Sequence, residues 1–413
     1  MAGRIEKRGK NSWRLIAYCG YDGDGKQIRK IKTVTVGQAC EKASCKECQK
    51  EKRCQARREA EKLLAEFVIE VEKGMFIEPT RLTFNDFSER WLRDYGEQNL
   101  APKTLHRYKQ LLETRIFPAM GHLKIEKITP VHLMDFYKNL TEDGIREDGK
   151  KGGLSERTIL HHHRLIATIL NAAVQWQIIN SNPASRVKPP RVPKKQVAAY
   201  DVEETIALLV ALEKEKLKHR VLIYLAMFTG LRRGEIMGLE WKDINIDEKV
   251  LRVHQAGQYI PGQGSFTKAP KNESSERLIS LPAFLVDMLR QYRKEQAEHR
   301  LKVGDLWQGS DRLFTTWDGK PGHPEWPSQW FPKFIKRHNL SPLSFHGLRH
   351  TAATILINLD VPLKNISGRF GHAEVSTTGD IYSHFLQSAD KAIADKLENF
   401  YQQITKEMKR GRV

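Results

Sequence analysis

The sequence predicts a multidomain protein, mainly α with small β sheets: an N-terminal three-stranded sheet plus helix, a four-helix domain, and a mixed, mostly helical C-terminal domain. Three observations predict it. A length of 413 residues is two or three domains' worth of chain. Period-two alternation is confined to two short stretches, and apolar residues elsewhere recur at helical spacing. Hydrophobic residues make up 40% and charged residues 29%, so most of the chain can bury a core and wholesale disorder is not expected.

Residues 4–36 alternate with period two. Trp13–Tyr18, a turn at Asp22-Gly23-Asp24-Gly25, then Gln27–Ile31 and Thr33–Val36 read as a three-stranded antiparallel sheet. Residues 1–36 hold nine Lys/Arg against three Asp/Glu, about a third of the protein's charge surplus. That makes the sheet a candidate DNA reader through Arg14, Arg29, Lys30 and Lys32; a solvated edge protected by lysines is the alternative. Residues 55–73 follow as an amphipathic helix, with Leu64, Phe67, Val68 and Val71 on one face toward the sheet. We set the first domain at 1–78, with a Cys-rich insertion at 38–55.

Helical spacing over 84–95, 102–116, 130–140 and 155–178 gives a four-helix domain at 79–182, with Lys103 a candidate DNA contact. Inside its last helix, His161-His162-His163 fan out by about 100° per residue and cannot share one metal; a solvated or DNA-facing role is expected. Residues 183–199 hold four prolines, five Lys/Arg and no acid, an extended basic linker offering Arg191, Lys194 and Lys195 to a duplex. A mostly helical domain follows over 200–388, with a strand-like stretch near 249–281, and then a C-terminal helix or tail over 389–413.

Charge narrows the partners. The chain carries 69 Lys+Arg and 50 Asp+Glu, a formal +19, which favours a polyanion. No apolar run approaches the ~18 residues of a membrane span, so nucleic acid leads and no membrane is expected. The N-terminus MAGRIEKRGK lacks an apolar signal region, and five cysteines do not make a disulfide scaffold; a cytoplasmic protein is expected.

Four segments of the C-terminal half hold residues suited to gripping or attacking a phosphate. In Thr229-Gly230-Leu231-Arg232-Arg233-Gly234-Glu235, Glu235 at i+3 can hold Arg232 toward a phosphate. Pro270–Ile279 reads as a hairpin carrying Lys271 on its tip. Phe345–Thr351 puts His346 and Arg349 on one face of a helical turn. Phe370-Gly371-His372 is followed ten residues later by Ile381-Tyr382-Ser383-His384. Singly, each reads equally as packing or as a surface ion pair; their order and number do not.

With these motifs in this order, the chain resembles the tyrosine recombinases, the phage-integrase family, over essentially its whole length. TGLRRGE matches the first-arginine motif, PKNESSERLI the hairpin-lysine motif, HGLRHT the His-x-x-Arg motif, FGH the second-histidine motif and IYSH the nucleophile motif. Asn272 stands where the hairpin motif commonly has Thr, and Lys268 is the alternative to Lys271. Residues 1–78 resemble the arm-binding domain, and residues 80–182 the core-binding domain, of integrases of phages and integrative conjugative elements.

The resemblance implies a site-specific recombinase that integrates and excises a mobile element. Tyr382 would attack a phosphodiester to give a 3′-phosphotyrosyl link and a 5′-hydroxyl, without ATP and with no metal or other cofactor for catalysis. Arg232 and Arg349 would clamp the phosphate, supported by Glu235; Lys271 would protonate the leaving oxygen; His346 and His372 would bind the phosphate, with His346 able to take the tyrosine proton. The implied partners are double-stranded DNA at core and arm attachment sites, the chain itself as a tetramer, a directionality factor and a host DNA-bending protein.

A type IB topoisomerase shares the nucleophile chemistry, and a resolvase or a catalytically silent DNA-binding protein are further alternatives. The basic N-terminal sheet favours the integrase, because Xer-type resolvases generally lack that domain.

Two features stand apart from this set. Cys40, Cys45, Cys48 and Cys54 fall in one window, and Cys45-x-x-Cys48 has metal-knuckle spacing, so a structural zinc is a candidate beside a loop of reduced thiols. Ala389, Ile393, Leu397 and Phe400 share one helical face that could dock on a neighbouring subunit or pack on its own domain.

Overall fold

The computed structural model describes residues 3–9, 11–37, 55–74, 76–77, 81–193, 197–269 and 276–371. It divides into two compact units, Met1–Pro193 and Lys194–Val413.

The first unit begins with an antiparallel sheet of β1 (Gly3–Lys7), β2 (Ser12–Tyr21) and β3 (Gln27–Thr35), in that order. The two runs read as separate strands, 27–31 and 33–36, form one strand, and the remaining strand is Gly3–Lys7. Pairing of Trp13 with Val34 and Leu15 with Lys32 sets one face, against which α1 (Gln55–Glu72) packs. Phe67 is buried there against Leu15 and Ala17, with Leu64, Val68 and Val71 alongside, as the helical spacing predicts.

Next come α2 (Phe84–Trp91), α3 (Pro102–Leu111), α4 (Pro130–Asn139) and α5 (Glu156–Gln175). Each start has a local cause. Thr83 and Asp86 bond reciprocally across the first turn of α2, Thr129 and His132 do so at α4, and Ser155 caps α5. Wider π-type turns continue α2 over Leu92–Gly96 and α3 over Leu112–Gly121. In the second, Pro118 has no N–H to give the ladder, and the wider turn accommodates its ring. Phe84, Phe87, Trp91, Leu112, Leu133 and Leu165 form the core.

Two expectations fail in this unit. His162 is not solvated: it is 1% exposed, its Nδ1 lies 2.8 Å from the Thr158 carbonyl, and its ring meets Phe136 edge-on. Because three consecutive helical residues fan apart, one of them must face the core, and His163 beside it bonds the Tyr137 hydroxyl at 2.9 Å. The basic linker also starts later than composition suggests. Asn182 caps a 3-10 turn over Pro183–Arg186, and Ala184 and Val187 join the core.

The second unit is mostly helical: α6 (Val202–Leu212), α7 (Leu217–Thr229), α8 (Arg233–Gly238), α9 (Ala283–Val303), α10 (Trp326–Arg337), α11 (Gly347–Asn358) and α12 (Leu363–Phe370). Between α8 and α9 lie β4 (Ile244–Asn245), β5 (Val250–Val253), β6 (Ala256–Ile260), β7 (Gly264–Lys268) and β8 (Arg277–Ser280). β4, β5 and β8 make one antiparallel sheet, and β6 and β7 make another. Among the described residues, therefore, the strands flanking Lys271 do not pair with each other as a hairpin requires; β8 crosses back to β5.

Gly238 and Gly257 bring β6 directly onto α8, since a Cβ on Gly238 would stand 2.9 Å from the Gly257 nitrogen. α7 runs through the core with Val221, Leu222, Ile223 and Leu225 all buried. Among the described residues, no helix is long and apolar enough to cross a membrane. The C-terminal helix or tail lies outside the described residues.

Candidate active site

The site assembles where three chain segments meet the C-terminal end of α12. α7 ends at Gly230, whose φ of 68° is left-handed. A side chain is excluded there twice over: the backbone conformation disfavours it, and a Cβ would come 2.3 Å from the Phe370 ring. This tight turn delivers Arg232 to the N-cap of α8, so Arg232 stands just before the helix, not within it. Glu235, in the first turn, is 6% exposed. Its carboxylate accepts from the Arg232 backbone N–H at 2.9 Å and from the Arg232 guanidinium at 2.8 Å. The other edge of that guanidinium donates to the Gly371 carbonyl at 3.0 Å.

Arg349 comes from the first turn of α11 and is 3% exposed. It donates to the Gly230 carbonyl at 2.5 Å and to the Phe370 carbonyl at 2.8 Å, and its guanidinium sits 4.7 Å from the Phe370 ring centroid. Carbonyls at a helix C-terminus carry partial negative charge, so the end of α12 holds both arginine forks. His346 occupies the position just before α11, its ring 4.8 Å from that of His350. It keeps an exposed edge. Partial desolvation, then the positive charges of Arg349, Arg232 and Arg233, hold its imidazole below the ordinary value of 6.5.

Arg232, Glu235, His346 and Arg349 therefore come together. Lys271, His372 and Tyr382 lie outside the described residues, as do Cys40, Cys45, Cys48, Cys54, Lys194 and Lys195. Lys268, the alternative to Lys271, ends β7 and is half-buried. Among the described residues, no group of three or more His, Cys, Asp or Glu could hold a metal.

Arg277 was missed by the sequence reading. Its guanidinium bonds Glu235 at 2.9 Å with a side chain only 7% exposed, whereas Leu278 beside it is 71% exposed. The signal was present: Arg277 shares period-two parity with Ile279, and Val253 and Leu251 face that pair across the sheet. A buried arginine among apolar neighbours on one strand face calls for a carboxylate partner.

The proposed DNA contacts divide by face. Arg14 and Arg29 lie on the sheet face away from α1, with Arg29 over the Tyr18 ring at 5.8 Å. Lys30 and Lys32 lie on the opposite face. Lys32 pairs with Glu70 of α1 at 2.7 Å, which corrects its expected place on the DNA-reading surface. Lys103 and Arg191 are exposed.

The family that this chain matches makes it an enzyme that breaks and rejoins DNA. Residues 199–388 match the phage integrase family, and residues 83–141 match the phage integrase N-terminal SAM-like domain. The chain belongs to the phage integrase family, the tyrosine recombinases, and is a site-specific recombinase of the kind that integrates and excises mobile elements. Catalysis in this family needs no cofactor.

A XerC-like tyrosine recombinase of Caldanaerobacter subterraneus subsp. tengcongensis is 26% identical over 413 residues, spanning 96% of this chain and 98% of that protein. The ICEBs1 integrase of Bacillus subtilis is 27% identical over 298 residues, spanning 72% of this chain and 78% of its own. Among solved structures, the Tn1549 transposon integrase in complex with transposon right end DNA shares the fold, with a TM-score of 0.63 at 21% identity over 76% of this chain and 99% of that one. A lambda integrase dimer bound to a COC′ core site has a TM-score of 0.53 at 16% identity, covering 72% of this chain and 95% of that one.

Proposed function

We propose that this recombinase acts through Tyr382, with Arg232, Lys271, His346, Arg349 and His372 grouped around the scissile phosphate. The observation that carries this reading is the convergence of Arg232 and Arg349 on the Phe370–Gly371 carbonyls, one residue ahead of His372 in sequence, with His346 close enough to feel both charges.

The chemistry has two difficulties. Charge builds on the phosphoryl oxygens in the transition state, and a phenol of ordinary pKa ~10 is mostly protonated at neutral pH. Two preorganised guanidiniums answer the first, because they meet the developing charge without reorganising. The neutral imidazole of His346 answers the second by accepting the proton as the Tyr382 oxygen attacks phosphorus. The P–O bond to the 5′-oxygen breaks, and Lys271 gives that oxygen a proton. The products are a 3′-phosphotyrosyl link and a 5′-hydroxyl. Rejoining reverses each step with a 5′-hydroxyl from the partner duplex.

Around this centre we assign residues 1–78 to arm DNA, 79–182 to core DNA, and the basic stretch up to 199 to a tether along the duplex. The catalytic domain is 200–388. Four chains act together in a synapse, in the cytoplasm where the DNA is, with a directionality factor and a DNA-bending protein as accessory partners. On a nicked suicide duplex, Tyr382→Phe should bind DNA and form no covalent adduct; an adduct at the wild-type level contradicts the assignment.

Cys40, Cys45, Cys48 and Cys54 are assigned to a structural zinc, supported by the Cys45-x-x-Cys48 spacing. Protein purified without added metal should carry about one zinc per chain, and a content near zero removes the site.

A further inference from the structure

Arg277, on β8, touches two of the segments that build the site, α8 and the turn that ends α12. From β8 its guanidinium reaches Glu235 Oε2 at 2.9 Å and Oε1 at 3.4 Å. Its Nε donates to the Arg369 carbonyl at 2.7 Å. It passes so close beneath Gly371 that a Cβ there would lie 2.8 Å from one of its nitrogens. Arg369 fastens the same turn from the other side, donating to the Phe228 carbonyl at 2.8 Å and the Ser280 carbonyl at 3.2 Å. β8 begins six residues after Lys271, and Gly371 immediately precedes His372. One side chain thus ties the turn leading to His372 to the carboxylate that holds Arg232.

The charges matter as much as the geometry. Arg232 and Glu235 alone form a neutral pair, in which the carboxylate competes with the phosphate for the guanidinium. With Arg277 added, two cations share one carboxylate and the cluster keeps one positive charge. Burial alone would raise the Glu235 carboxyl; the hydrogen bond and charge of Arg277, followed by the backbone N–H and charge of Arg232, carry it below the ordinary value instead. Glu235 is therefore held ionised by Arg277 together with Arg232. The Arg232 side chain, 40% exposed, keeps an accessible side.

We propose that Arg277 is a positioning residue that neutralises Glu235, so that Arg232 is aimed by the carboxylate while its charge remains available to the scissile phosphate. The inference rests on the reading of Arg232 as a phosphate clamp. It gives Glu235 two roles that Arg277 reconciles: a rigid acceptor, and an anion whose field must not reach the phosphate. Removing Arg277 leaves a buried carboxylate with one partner, which then draws on Arg232.

The test is single-turnover cleavage of a suicide duplex at saturating DNA, with affinity for the same duplex measured alongside. Arg277→Met should cleave about 100-fold more slowly at near-unchanged affinity. Adding Glu235→Gln to Arg277→Met removes the uncompensated charge and should recover about tenfold, a coupling that a purely structural role would not produce. A double variant no faster than Arg277→Met overturns the proposal. Arg277→Lys keeps the charge and should stay within about tenfold of the wild type; should Arg277→Met fail to fold, a 100-fold loss in Arg277→Lys at wild-type affinity overturns it. Arg232→Ala cleaving at the wild-type rate would instead remove the clamp reading itself.

Discussion

The N-terminal sheet and the catalytic cluster use positive charge in opposite ways. On the sheet, Arg14 and Arg29 lie on the face away from α1, Arg14 with Glu6 at 3.9 Å and Arg29 over the Tyr18 ring and bonded to the Gln27 side chain. In the cluster, Arg349 is buried with two carbonyls and an aromatic face around it, and Arg232 is fixed by Glu235 and Gly371. Open cations attract any phosphate within reach and are screened by salt. Fixed cations have already lost their freedom, so they favour one geometry of charge and add little to general attraction. On the proposed assignment, the sheet serves affinity and the cluster serves rate.

Two variants and a pH profile separate these regimes. The largest effect belongs to Arg232→Ala, whose cleavage at saturating DNA should fall by about 10³-fold while affinity changes by less than about fivefold. Next, Arg14→Ala with Arg29→Ala should weaken binding to duplexes spanning the element's ends and lower the slope of log affinity against log salt by about 2. Its cleavage rate at saturating DNA should stay at the wild-type value; a rate that falls with affinity would merge the two regions.

The smallest effect is in pH. Because the His346 imidazole is held below 6.5, the base stays neutral as pH falls through 6.5, and the acid limb of the cleavage profile should lie lower than that. The sign for stability follows: the unfolded chain takes up the proton first, so the contribution is present above 6.5 and lost as pH falls through the folded value. A limb at or above 6.5 would contradict the desolvated, cation-flanked environment.

The elements with strong periodicity were readable from sequence. Phe67 with its helical neighbours and the alternation around Trp13–Tyr18 predicted α1 and its packing on the sheet, because each pattern has one face to bury. Pairing partners were not readable: β7 and β8 flank Lys271 in sequence yet belong to different sheets, and period two carries no information about which strand lies alongside. His162 and Lys32 were misplaced for a related reason. Residue type suggested solvent, while helical rotation turned His162 into the core and strand parity turned Lys32 toward Glu70. The motif spacing brought out Arg232, Glu235, His346 and Arg349, but Arg277 lay hidden in a strand where Leu278 faces out and the arginine faces in.

The most direct test of the division between affinity and rate is the salt dependence of DNA binding by Arg232→Ala, measured beside its single-turnover cleavage. The account predicts a wild-type salt slope with cleavage reduced by about 10³-fold. A slope lowered by about 1, with cleavage at saturating DNA near the wild-type rate, would make Arg232 an ordinary phosphate contact and contradict it.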